Sequence, residues 1–179
     1  MLATLLVLIC VVVRVLPHPP NMAPVGAAGV LAGRTLPTGL AIAVVVAAMA
    51  LSNVALSLLH GWPAFGWGSP FIYAGFVAQV IIARALRQRR GGALMAAVAG
   101  ATAFFVLSNL GVWAVGGLYP RSAAGLGACF VAAVPFFGYS LVGDVLWTIA
   151  LTAAHRAIGQ RLAAHPAWVR PEALAAPAL

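Results

Sequence analysis

The chain has 179 residues, ten basic and two acidic side chains, a formal net charge of +8, 64% hydrophobic residues and a mean hydropathy of +1.06. Only 7% of residues are charged, too few to coat a water-soluble globular domain, and the length accommodates one domain and no second. The basic residues are all arginine and stand mostly at the ends of apolar runs, which reads as membrane topology and lipid-headgroup contact and gives no support to a nucleic-acid partner.

Residues 1–16 form an apolar run that carries Arg14 and is followed by Pro17. It lacks a positive leading region and a small-residue cleavage site, so it is read as a retained first helix and not a signal peptide. Residues 22–33 are rich in Gly and Ala and short enough to reach only partway across a membrane. Residues 38–59, 70–86 and 92–115 each make a spanning segment. The stretch 122–155 is too long for one straight crossing, and Pro135 with Gly138 inside it predicts a kinked or broken helix. A bundle over 1–156 is then followed by a poorly ordered cytoplasmic tail, 157–179, of Ala, Pro and Arg. The expected fold is all-α, a polytopic membrane bundle of about six transmembrane helices.

The arginines test this threading. With six segments and a cytoplasmic N-terminus, Arg34, Arg84, Arg87, Arg89, Arg90, Arg156, Arg161 and Arg170 fall inside, and Arg14 and Arg121 outside. That asymmetry follows the positive-inside rule. If 22–33 is re-entrant, the N-terminus moves outside and Arg14 moves inside, so charge fixes the C-terminal half better than the N-terminal half. The uncharged connection 60–69, with Trp62 and Trp67, suits the outer interface. The expected location is the bacterial inner membrane, multi-pass, with lipid as its surroundings.

Against this apolar background the polar side chains are few. The first connection holds Arg14, His18 and Asn21, the third segment Ser52 and Asn53, and the outer loop His60, Trp62 and Trp67, followed by Tyr73 and Gln79. Further on come Ser108, Asn109, Trp113 and Tyr119, then Tyr139, Ser140, Asp144 and Trp147. Aromatic rings mixed with a few amides, an imidazole and one carboxylate suit a pocket for a flat, partly polar organic ligand. The same aromatics also gather at any membrane interface, and Asn or Ser also join helices. Asp144 is the first acidic residue along the chain and Glu172 the only other. An intramembrane carboxylate is costly and is kept by pairing or by function. It reads as an ion pair with Arg14 or Arg121, as a ligand contact, or as a proton-linked group.

The small residues Gly26, Ala27, Ala28, Gly29, Ala32 and Gly33, and the run 123–128, offer close-packing faces for another helix, within the chain or on a partner. Cys10 and Cys129 lie in apolar runs without CxxC or Cys/His spacing, so neither a disulfide nor a metal site is expected. Walker A, GxSxG and HExxH motifs are missing from the sequence, and no catalytic residue or cofactor is assigned; the chain is not read as an enzyme.

Two stretches carry a family likeness. One is Pro17-His-Pro-Pro-Asn-Met-Ala-Pro-Val-Gly-Ala-Ala-Gly-Val-Leu-Ala-Gly33, and the other Phe104-Phe-Val-Leu-Ser-Asn-Leu-Gly-Val-Trp113, continuing through Tyr119-Pro120, Gly125-Leu126, Val134-Pro-Phe-Phe and Gly143-Asp144. Together they resemble a family of small bacterial membrane proteins described as transport proteins. That family in turn looks like the substrate-binding S components of energy-coupling-factor (ECF) vitamin transporters. The resemblance implies a six-helix, S-component-like bundle with an outward-facing pocket for a vitamin or cofactor-type solute, and docking to an energy-coupling transmembrane and ATPase module. A cobalamin-transporting branch of S components is the nearest specific analogy, with His18 or His60 as the residues to ligate cobalt. The chain departs from the family pattern at Asn53, where an Asp is usual, and at Asn21-Met-Ala-Pro24, where Asn-Phe-Thr-Pro is usual.

The reading is an integral membrane substrate-binding transport protein for a small solute, with contacts from His18, Asn21, His60, Asn109, Trp113, Tyr119 and Asp144. The alternative is a non-transporting membrane scaffold that packs with a partner complex.

Overall fold

The computed structural model describes residues 1–164. Among them the secondary structure is wholly helical: α1 (Leu2–Val15), α2 (Val25–Thr35), α3 (Thr38–His60), α4 (Ser69–Ala85), α5 (Gly92–Val115) and α6 (Ala123–Ala164). Three of them, α3, α5 and α6, are long and apolar enough to cross a membrane, and α1 and α4 are shorter apolar helices. Side chains such as Leu8, Leu51, Ile81, Met95, Val131 and Ile149 are all more than 40% exposed. Large apolar faces of this kind are matched by lipid and not by water.

The helix ends follow from local chemistry. α3 stops at Gly61, whose φ of 70° is the left-handed conformation that glycine enters without strain. Gly91, with φ 68°, plays the reverse part ahead of α5. Pro70 occupies the first turn of α4, where its missing N–H costs nothing.

At the centre stands α2, buried from Val25 through Gly33 and packed against every other helix. Eleven residues make a rod of about 16 Å, roughly half the hydrocarbon thickness of a bilayer. Its glycines are what let neighbours so close. A Cβ at Gly29 would press on Val45 and Val80, and one at Gly33 would overlap the Val80 carbonyl of α4. The small residues of α2 are therefore used inside the chain. The run at the start of α6 is different, because Gly127 has open space beside it.

α2 and α4 are tied together at one end of the bundle. Arg34 donates to the Leu86 carbonyl at 2.8 Å, and Arg84 donates to the Leu36 carbonyl at 3.0 Å. The connections 36–37 and 86–91 therefore share an end, which also collects Arg87, Arg89 and Arg90. Arg14 lies at the far end of α1, beside the connection that leads into α2.

α6 is a single continuous helix of 42 residues with Pro135 inside it, so of the expected kink or break the break is not found. Its helix is described as far as Ala164, and residues 165–179, the greater part of the expected tail 157–179, lie outside the described residues. At about 63 Å, α6 far exceeds a bilayer's hydrocarbon core of about 30 Å. Its charged end carries Arg156 and Arg161.

Candidate functional site

A cavity of about 540 Å³ opens between the helices, and all six contribute to its wall. This lies within the ordinary range for small-molecule sites, roughly 300–1,000 Å³. Its rim carries His18, Asn21, His60 and Trp62, its apolar wall includes Met49, Ile72, Phe76 and Phe104, and its interior holds Arg14, Gln79, Ser140 and Asp144.

The rim segment between α1 and α2 is shaped by its prolines. Pro19 and Pro20 restrict the backbone, and the amide of Met22 closes a turn onto the Pro19 carbonyl at 3.2 Å. Asn21 takes φ 59° in that turn, a left-handed conformation that Asn tolerates better than most residues. α6 holds the segment in place. Trp147 Nε1 donates to the Met22 carbonyl at 2.8 Å, and Gly143 leaves room for the backbone of Met22 to lie against it. His18 Nδ1 is 2.8 Å from the Leu16 carbonyl, which leaves Nε2 free to face outward.

Arg14 enters from the last turn of α1. Its Nη1 is spent on α3, bonding Ser52 Oγ, Asn53 Oδ1 at 3.0 Å and Met49 Sδ at 3.2 Å. Ser52 in turn donates to the Ala48 carbonyl at 2.6 Å, so the anchor is fixed to the helix backbone. These partners are neutral. They orient the guanidinium without cancelling its charge, and its Nη2 and Nε make no hydrogen bond among the described residues.

Asp144 comes from α6 and is 8% exposed. Gln79 Nε2 on α4 donates to its Oδ2 at 2.7 Å. The carboxylate is pressed against Gly26 in the first turn of α2. The positive end of that helix dipole favours an anion there. Gln79 is itself 1% exposed, and its Oε1 has no partner among the described residues. The cavity lining therefore includes the Asp144 carboxyl, while the Gln79 Oε1 beside it is sealed off and unpartnered among the described residues.

The sequence raises an ion pair of Asp144 with Arg14 or Arg121. Among the described residues no hydrogen bond joins them: Arg14 is held by α3 and Asp144 by α4. The two charges face one cavity separately.

Of the site residues expected from sequence, His18, Asn21, His60 and Asp144 line the cavity. Asn109, Trp113 and Tyr119 stand outside it. Asn109 Nδ2 donates to the Phe105 carbonyl of its own helix at 2.8 Å, and its own carbonyl receives the Cys129 thiol at 3.6 Å. Trp113 Nε1 donates to the Pro120 carbonyl at 3.0 Å, fastening the α5–α6 connection. Arg14 and Gln79 appear in the polar inventory of the sequence but not among its expected contacts. The signal that would have promoted Gln79 is an amide deep inside an apolar helix, which must find a partner. Among the described residues, no three His, Cys, Asp or Glu side chains gather as a metal site.

Compared with known proteins, residues 1–168 match the model of DUF6580, described as a family of unknown function. No curated protein and no solved structure matches the chain.

Proposed function

The chain belongs to the DUF6580 family, and on that footing we propose that it is a multi-pass inner-membrane protein that binds a small organic solute for transport. The observation that carries this reading is the cavity itself. Six helices converge on one space of about 540 Å³ that holds an arginine and an aspartate not paired with each other. Charges inside a membrane domain are expensive unless they are paired, hydrated or used. An open cavity between helices supplies hydration when empty and a use when filled.

In this reading the rim of His18, His60 and Trp62 faces the outside, and the arginine-rich end at Arg34, Arg84, Arg87, Arg89 and Arg90 faces the cytoplasm. All six helices are then membrane segments, with α2 crossing only half the thickness inside the bundle. The solute class is that of vitamins and cofactor precursors, with energy supplied by a partner module or with slow transport by the chain alone. The scaffold alternative has less support, because the small-residue face of α2 is already covered within the chain.

The test is thermal unfolding of the detergent-purified protein against vitamins, cobalamins and divalent metals. A ligand at a hundred times its Kd adds about 2.7 kcal/mol, so a bound member of the panel raises the melting temperature clearly. Absence of a shift across the whole panel counts against this solute class and returns weight to the scaffold.

A further inference from the structure

We infer that the solute is bipolar: a molecule with a carboxylate or similar anion at one end, a protonated amine or similar donor-rich cation at the other, and an apolar, ring-sized body between. This rests on the solute-binding reading above and narrows it.

Arg14 and Asp144 have opposite bonding capacity left to give to a ligand. Arg14 has used Nη1 on Met49, Ser52 and Asn53. Its remaining N–H groups are donors only, and a guanidinium with an open edge is suited to a carboxylate. Asn53 supplies an amide oxygen there and not a carboxylate, so the positive charge remains uncompensated by its anchor. At Asp144 the inventory is the opposite. Asp144 receives one hydrogen bond from Gln79, and Gln79 Oε1 receives none among the described residues. A carboxylate accepts, so the ligand group that meets Asp144 is a donor, as an ammonium or amidinium is.

Net charge gives a second argument. Arg14 and Asp144 stand on one lining as a guanidinium and a carboxyl group, and their formal charges cancel in sum. A singly charged solute would pair one of the two and leave the other buried beneath it without a partner. Such an orphaned charge is strongly unfavourable at low dielectric. A neutral solute would orphan both. A bipolar solute with no net charge pairs each. Phe76 and Phe104 lie with ring centroids 4.6 Å apart, and both line the same cavity. They offer an apolar surface to the body of the ligand.

The experiment compares matched trios on the purified full chain by thermal unfolding. The zwitterions are phenylalanine, tryptophan and 4-(aminomethyl)benzoate. Each is set against an anion lacking the amine (3-phenylpropanoate, indole-3-propanoate, 4-methylbenzoate) and a cation lacking the carboxylate (phenethylamine, tryptamine, 4-methylbenzylamine). At least one zwitterion should bind about tenfold or more tighter than both of its partners, a difference of about 1.4 kcal/mol. Asp144→Asn should bring that zwitterion and its anion partner to the same level, the anion binding at least as well as to the parent chain because no charge is then left without a partner. Arg14→Gln should do the converse for the cation partner. A merely structural role for either residue would weaken all three compounds alike, and that result overturns the inference.

Two further outcomes also overturn it. A singly charged or uncharged compound that binds as tightly as any zwitterion removes the bipolar requirement and leaves the solute-binding reading intact. No shift with any trio, together with none across the vitamin panel, removes both.

Discussion

Asp144 lies so close to Gly26 that its two carboxylate oxygens occupy the space a Cβ at position 26 would need. The only acidic side chain among the described residues is thus seated on a glycine in the first turn of the buried helix α2, with Gln79 holding it from the other side.

Gly26→Ala forces the carboxylate off its seat and away from Gln79. Overpacking of this kind costs about 1–3 kcal/mol, offset in part by the better helix propensity of alanine, about 1 kcal/mol. A net loss of stability follows, and ligand binding falls with it. Gly33→Ala is the more damaging change, because its new methyl meets the backbone carbonyl of Val80, which cannot rotate away. Gly39→Ala meets nothing and should be neutral or stabilising by about 0.5–1 kcal/mol. Thermal unfolding of the three variants in one detergent checks the order 39, 26, 33 from most to least stable.

Asp144→Asn keeps an oxygen for Gln79 and should fold with little loss while losing the cationic end of its ligand. Asp144→Ala strands the Gln79 amide in the interior, at a cost of about 1–3 kcal/mol. Asn109→Ala is the control. Its amide is spent on Phe105 in its own helix and lies off the cavity, so ligand-induced stabilisation should match that of the parent chain. Loss of binding in Asn109→Ala would shift the site toward α5.

Arg34 and Arg84 should prove coupled. Each donates to a carbonyl just past the end of the other's helix, so the pair works as a cross-tie between α2 and α4. Arg34→Gln and Arg84→Gln should each lower stability by about 1 kcal/mol or more. The double variant should lose less than the sum, because releasing either strand of the tie loosens the other. A double-mutant cycle with strictly additive losses would show two independent contacts.

Topology can be read with thiol reagents against the chain's own cysteines. Cys10 and Cys129 are both buried, so a membrane-impermeant maleimide should not label the folded parent. Trp67→Cys, at a position 88% exposed, should label from outside intact cells. Arg90→Cys, on the connection at the opposite end, should label only after the membrane is opened. Labelling of both from one side would invert or break the proposed threading.

Much of this architecture is legible in the sequence, and the reasons are particular. Five segment boundaries fall close to the helix ends because Pro37, Gly61, Gly91 and the arginines punctuate runs that are otherwise uniformly apolar. α6 resists this reading. Pro135 and Gly138 are helix breakers in water, yet α6 passes both without interruption, since a helix in an apolar bundle has no competing partner for its backbone.

The site is legible in its rim and less so in its interior. His18, Asn21 and His60 stand on or beside connections, and connections at one end of a bundle meet. Which way an interior side chain points is another matter. α5 is apolar on every face, so its sequence gives no sign that Asn109 turns away from the cavity while Phe104 turns toward it. The separation of Arg14 from Asp144 depends on α3 and α4 each offering a neutral holder, a relation among four helices that no local pattern encodes.

The burial of α2 also constrains how the protein is made. At eleven residues this helix falls well short of the roughly 20 that hold a lone segment in a bilayer, so its burial depends on its neighbours. Those neighbours include α4 and α6, and the anchor from Trp147 to Met22 joins positions 125 residues apart. When α2 leaves the ribosome, the helix that will secure it has not been translated. The second helix in order of synthesis is therefore among the last to be settled, and the cavity is complete only once the final helix has arrived.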